Sequence, residues 1–132
     1  MIKRPSDERL ALSLALLLAG AGTLHFLAPR PYDSIVPRVL PGDPRHYTYA
    51  SGAAELGCAA LVAVPRTRRI GARAAMTLFA AVFPANVQMA LDWGRSPSPV
   101  KRALAYGRLP LQLPLVVWAW QVQRTADHRG GA

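Results

Sequence analysis

Four apolar runs, each near the length that crosses a lipid bilayer and each flanked by charge, constrain this chain more than anything else in it. The runs are 10–28 (LALSLALLLAGAGTLHFLA), 47–64, 70–92 (IGARAAMTLFAAVFPANVQMALD) and 103–122 (ALAYGRLPLQLPLVVWAWQV). A spanning helix needs roughly 17 to 25 mostly apolar residues. The charges fall between the runs, in KRPSDER, in RTRR with Arg73, in GRSPSPVKR and in RTADHR. Helices of a soluble protein spread charge along one face, whereas here it marks the run ends. With 132 residues there is room for one domain. The expected fold is therefore all-α: a single integral membrane four-helix bundle over 1–132, with a Pro-rich outer loop between the first and second helices.

A net charge of +9 suggests nucleic-acid binding at first sight. The basic residues sit at the ends of apolar runs, however, and aromatic side chains do not interleave with them, so nucleic acid is excluded as a partner. Charge at run ends is what membrane topology requires. Lys3 and Arg4 ahead of an apolar stretch, with small residues in AGAGT, have the outline of a secretory leader. The run continues to Ala28, too long for a leader's apolar region, and is read as an uncleaved helix. Four spans place both termini on one side. That side carries Lys3, Arg4, Arg9, Arg66, Arg68, Arg69, Arg73, Arg124 and Arg129, against Arg30, Arg38, Arg45, Arg95, Lys101 and Arg102 opposite. The excess puts both termini in the cytoplasm of a multi-pass cell-membrane protein. The connection 29–46 is then outside. Its five prolines forbid one continuous helix, and Ile35, Val36, Val39 and Leu40 suggest a lid that packs back on the helix ends.

Glu55 lies in the middle of YTYASGAAELGCAALVAVP, an otherwise apolar and small-residue run. A charge at the bilayer centre costs roughly 2.5 to 3.5 kcal/mol on the lenient insertion scale, so such a residue turns inward and finds a partner. The polar side chains within the runs are His25, Ser51, Glu55, Asn86, Gln88, Asp92, Arg108 and Gln112. At a rise of 1.5 Å per residue, Glu55 lies roughly 12 Å, and Arg108 and Gln112 roughly 7 to 14 Å, below the outer boundary. All eight fall in the outer half. Tyr47, Ser51, Glu55 and Cys58 share one stripe of the second helix, Arg108 and Gln112 a face of the fourth, and Gln88 and Asp92 a face of the third. We expect Glu55 to be compensated by Arg108, by His25 or by both, with Asn86 and Gln112 adding hydrogen bonds and Ser51 lining the same cavity. The alternative is a polar staple that only fixes helix packing.

Prolines coincide with this polarity. Pro84 frees the carbonyl of Ala80, and Pro110 and Pro114 kink the fourth helix or, for Pro110, mark its first turn. Other chemistries lack their residues. A bis-His haem needs two facing imidazoles at depth, and only His25 qualifies, since His46 lies at a helix mouth and His128 in the tail. A metal site would lack ligands beyond His25 and Glu55, and the single Cys58 excludes CxxC chemistry. A quinone or similar amphiphile needs only a slot between helices, one or two donors and apolar walls. Phe26, Tyr47, Tyr49 and Trp93 stand at the rim, as a mouth or as interfacial anchors.

The blocks GTLHFLAPRPYDSIVPRVLP, YASGAAELGCAALV, FAAVFPANVQMAL and RLPLQLPLVVWAW, in that order over about 22–120, resemble the DoxX-like family of small membrane proteins. The resemblance implies a bundle of four membrane helices. Its motif residues are His25, Glu55, Asn86, Arg108 and Gln112. It further implies a membrane subunit tied to quinone-dependent sulfur or thiol oxidation, with partner oxidoreductases supplying the thiol chemistry. The expected function is a quinone- or lipid-binding membrane component of a redox system, in the bilayer and able to form homo-oligomers. A non-catalytic scaffold or assembly factor is the rival reading, and a small transporter lacks a polar path through the inner half.

Overall fold

The computed structural model describes residues 5–130, with side chains through Ala126, and every regular element among them is helical. Lys3, Arg4 and the side chains of His128 and Arg129, used above for topology and haem, lie outside the described residues. The chain forms α1 (Pro5–Leu27), α2 (Pro29–Ile35), α3 (Pro44–Ala63), α4 (Arg68–Ala81), α5 (Phe83–Trp93) and α6 (Pro99–Gly130).

Local chemistry explains where the helices outrun the apolar runs. α1 is described from Pro5, and Asp7 and Glu8 sit in the first turn described, where negative charge favours a helix N-terminus. Asp43 caps α3 by accepting from the Arg45 backbone N–H at 2.9 Å, with Pro44 next. Pro99 opens α6 after Ser98, whose hydroxyl accepts from the Lys101 N–H at 3.4 Å. The proline-rich connection differs from expectation. Pro29 and Pro31 fall in the first turn of a short helix, where a missing N–H costs nothing. The lid expectation holds in part: Ile35 and Val36 are half-buried, but Val39 is 90 % exposed and Leu40 is also exposed.

The third run is one helical stretch, Arg68–Trp93, interrupted only at Val82, where α4 passes into α5. α4 ends at Ala81, and Val82 (φ −85°, ψ −4°) turns the chain into α5 just before Pro84. A proline ring crowds the carbonyl four residues back and offers no N–H in return. In the fourth run Pro110 does not mark the helix start, because α6 begins at Pro99 and runs through both Pro110 and Pro114.

The helices pack in a closed order: α1 on α3, α3 on α4, α4 and α5 on α6, and α6 on α1. Glycines set two crossings. A Cβ on Gly22 would meet the Gly52 carbonyl at 2.9 Å, and one on Gly71 would meet the Leu61–Val62 backbone at 2.7 Å. Such close approach is how helices gain contact when their surfaces offer little else. Buried side chains then divide by level. Leu14, Leu18, Val62, Ala72, Ala75, Phe79, Leu115, Ala119 and Val122 form one apolar cluster with Cys58. His25, Thr48, Asn86 and Gln112 are buried nearer the end where α1 gives way to α2.

Arg68, 1 % exposed, is the buried charge at the opposite end. Its Nε donates to the Val62 carbonyl at 2.7 Å and its Nη2 to that of Ala63 at 3.1 Å. Its Nη1 lies 2.9 Å from Glu8 Oε2. The last carbonyls of a helix lack intrahelical donors, so Arg68 caps α3 while tying it to α1. Trp118 adds a second tie, its Nε1 donating to the Leu10 carbonyl at 2.9 Å.

Candidate functional site

The six sequence-predicted residues fall into two clusters. The first lies between α1 and α3. His25 Nδ1 is 2.7 Å from the Ala21 carbonyl and 3.4 Å from Glu55 Oε2. A carbonyl only accepts, so Nδ1 carries the hydrogen and Nε2 is the nitrogen left for a ligand or a proton. Glu55 Oε2 is buried and has no hydrogen-bond partner among the described residues. A buried polar atom without a partner costs about 1–3 kcal/mol, and natural folds keep few of them. Ser51 is half-buried one turn before Glu55 on α3. Arg108 on α6 is exposed and forms no ion pair among the described residues, yet its charge acts on Glu55, His25 and Tyr32 alike. It faces the pair at a distance and does not clamp it.

The second cluster lies between α5 and α6. Asn86 Nδ2 donates to Gln112 Oε1 at 3.0 Å, and Gln112 Nε2 donates to the Phe79 carbonyl. The carbonyl caught this way belongs to Phe79, one residue from the Ala80 carbonyl expected to be freed. It lies in the last turn of α4, beside the break. Gln88 and Asp92 pair along one face of α5, as their spacing predicts, at 3.1 Å. Asn86 and Gln112 therefore satisfy each other and the broken backbone. Their hydrogen bonds do not go to Glu55.

Three residues of the first site were missed from sequence. Tyr32 of α2 stacks on the His25 ring, with centroids 3.8 Å apart and planes 19° from parallel. Asp33 accepts from Thr48 Oγ1 at 2.6 Å and from Arg45 Nε at 2.8 Å, fastening α2 to α3. Burial alone raises the Asp33 carboxyl, but these donors outweigh it and hold the group below its ordinary 3.8. Burial, with Glu55 adding, raises the Tyr32 phenol above its ordinary 10.0. A signal for Thr48 was present, since it stands seven residues before Glu55 and shares its face. Of the rim aromatics, Phe26 stacks on Tyr49 at 5.1 Å, the Tyr47 hydroxyl donates to the Pro41 carbonyl, and Lys101 lies 5.7 Å over Trp93.

Among the described residues no three His, Cys, Asp or Glu side chains come together as metal ligands do. An apolar groove of about 490 Å³, lined by Leu12, Leu16, Leu56 and Ala60 among others, opens between α1 and α3. Its α3 lining, Leu56, Ala59, Ala60 and Ala63, is wholly apolar, and neither His25 nor Glu55 borders it.

The molecule is thus an all-helical protein with a covered His–Glu pair between two helices. It belongs to the family defined by a domain of unknown function, DUF8561, whose family model matches residues 14–123. No curated protein and no solved structure matches the chain. Two helical stretches, Pro5–Leu27 and Arg68–Trp93, are long and apolar enough to cross a membrane.

Proposed function

We propose that this chain is a multi-pass membrane protein that binds the polar head of an amphiphile, a quinone-like molecule or a lipid, at His25, Glu55, Tyr32 and Arg108. Only 33 % of the apolar window in α1 and 22 % of that in α4–α5 is buried inside the protein. The core helix of a soluble protein is mostly buried, so these faces favour lipid as their solvent. On α1, Leu16 is 75 % and Leu27 76 % exposed, and on α6 Leu113 is 72 % exposed. α3 and α6, about 30 and 48 Å long at 1.5 Å per residue, have the length this reading asks of its other two spans. The arginine-rich turn at 66–73 supports termini in the cytoplasm.

The observation that carries the ligand reading is Glu55 Oε2, buried and unpartnered beside His25. At this depth Glu55 can hold a proton on its carboxyl and His25 can take one at Nε2, each toward a bound head group, and the Arg108 charge favours the anionic carboxylate. The likeness to DoxX-like proteins supports a redox role in which partner oxidoreductases supply the thiol chemistry. In the scaffold reading the polar groups only fix helix packing, which is what the closed Asn86–Gln112–Phe79 contact favours for its own half of the bundle.

Native mass spectrometry of gently purified protein separates the two. The binding protein retains quinone or lipid and loses it in Arg108→Leu, while Glu55→Gln weakens retention at unchanged expression. If the wild type carries no amphiphile, or Arg108→Leu and Glu55→Gln carry as much as the wild type, the reading fails and the scaffold stands.

A further inference from the structure

The cover over His25 is fastened mainly by contacts that water can replace. α2 has no fully buried residue. Beyond half-buried Ile35 and Val36, the segment from Pro29 to Pro41 is held by the Tyr32–His25 stack, the Asp33 bonds to Thr48 and Arg45, an ion pair of Arg38 Nη2 with Asp92 Oδ1 at 3.1 Å, and the Tyr47 hydroxyl donating to the Pro41 carbonyl. The Arg38 side chain is 77 % exposed, the most exposed partner in these pairs. Asp92 also accepts from Gln88 Nε2 at 3.1 Å, so it keeps a partner when Arg38 departs. The segment ends at two non-helical joints: Ala28 (φ −136°, ψ 66°) and Gly42, whose φ of +93° is the conformation that favours glycine.

We propose that α2 and the stretch to Pro41 form a strap that lifts off the His25–Glu55 pair, with Arg38–Asp92 as its releasable latch. This rests on the binding reading above and assigns the control of access to that site. Lifting the strap removes the Tyr32 ring from His25, and the imidazole then meets solvent. The Asp33–Thr48 contact, less exposed than the latch, is the inner hinge on which the strap returns.

The test needs no ligand. The full chain in lipid nanodiscs is treated with diethyl pyrocarbonate, and carbethoxylation of His25 is followed by mass spectrometry, with exposed His46 as internal standard. Tyr32→Ala sets the uncovered rate. The wild type is expected to react well below that rate. Arg38→Glu should react about two- to fivefold faster than wild type, the range an exposed ion pair supports, and Arg38→Glu with Asp92→Arg should return to the wild-type rate. A wild type already at the uncovered rate, or an Arg38→Glu rate unchanged from wild type, overturns the strap. Those results leave amphiphile retention untouched, and loss of retention with the latch intact removes only the binding reading.

Discussion

Single side chains in this protein divide into those whose hydrogen bonds close and those whose do not. Gln112 belongs to the first kind. It holds Asn86 on α5 and the Phe79 carbonyl on α4 at once. Gln112→Leu leaves a buried donor and a buried carbonyl without partners, and should cost about 1–2 kcal/mol, toward the upper end of what interhelical bonds yield in membranes. Equilibrium unfolding in mixed micelles reads this. A cycle with Asn86→Leu should be non-additive by up to about 1 kcal/mol, and strictly additive costs would mean that the two amides do not share a bond. Glu55 belongs to the second kind, with one oxygen buried and unbonded. That contrast separates two groups of residues that spacing alone placed in a single cavity.

At the scale of elements, junctions matter more than helix interiors. The α3–α4 turn is held by Arg68, which fills the carbonyl ends of α3 and reaches Glu8 on α1. Arg68→Met keeps the aliphatic stem and removes every donor. It should destabilise the protein by about 2–3 kcal/mol, because the Val62 and Ala63 carbonyls lose their donors, while Glu8, a third exposed, is left within reach of water. Thermal denaturation in detergent is the check, and a loss within about 0.5 kcal/mol, typical of a surface substitution, would show that water replaces the guanidinium there. This residue stood in the sequence among the arginines of a basic loop, and nothing in RTRR distinguishes it from Arg66 or Arg69. Its burial arises because Gly71 brings α4 within contact of the α3 backbone. The break at Val82, in contrast, was written locally in Pro84, which carries its steric demand wherever it sits.

For the whole molecule, the four-span reading makes a topological prediction. Tags fused at both ends should be protected from protease in right-side-out vesicles, and a tag inserted after Gly42 should be cleaved. Exposure of either terminal tag would invert or break the proposed topology. The short α2 and the buried Arg68 at the end opposite His25 were not legible in the sequence, whereas the four long helical stretches and the polar residues within them were. Those stretches depend on local composition: apolar length, proline and capping chemistry, and a fixed rise per residue. His25, Glu55, Asn86, Arg108 and Gln112 were singled out on the same ground, because a polar side chain in an apolar run is unusual wherever the run packs. Tertiary structure alone decided which of them meet. Helix rotation and crossing angle put His25 on Glu55, where Gly22 and Gly52 bring α1 against α3, and put Gln112 on Asn86 across α5 and α6. It also decided that Tyr32 covers His25, since a short helix after two prolines takes its direction from what Asp33 and Arg38 grip on other helices, a non-local balance that no window of sequence contains.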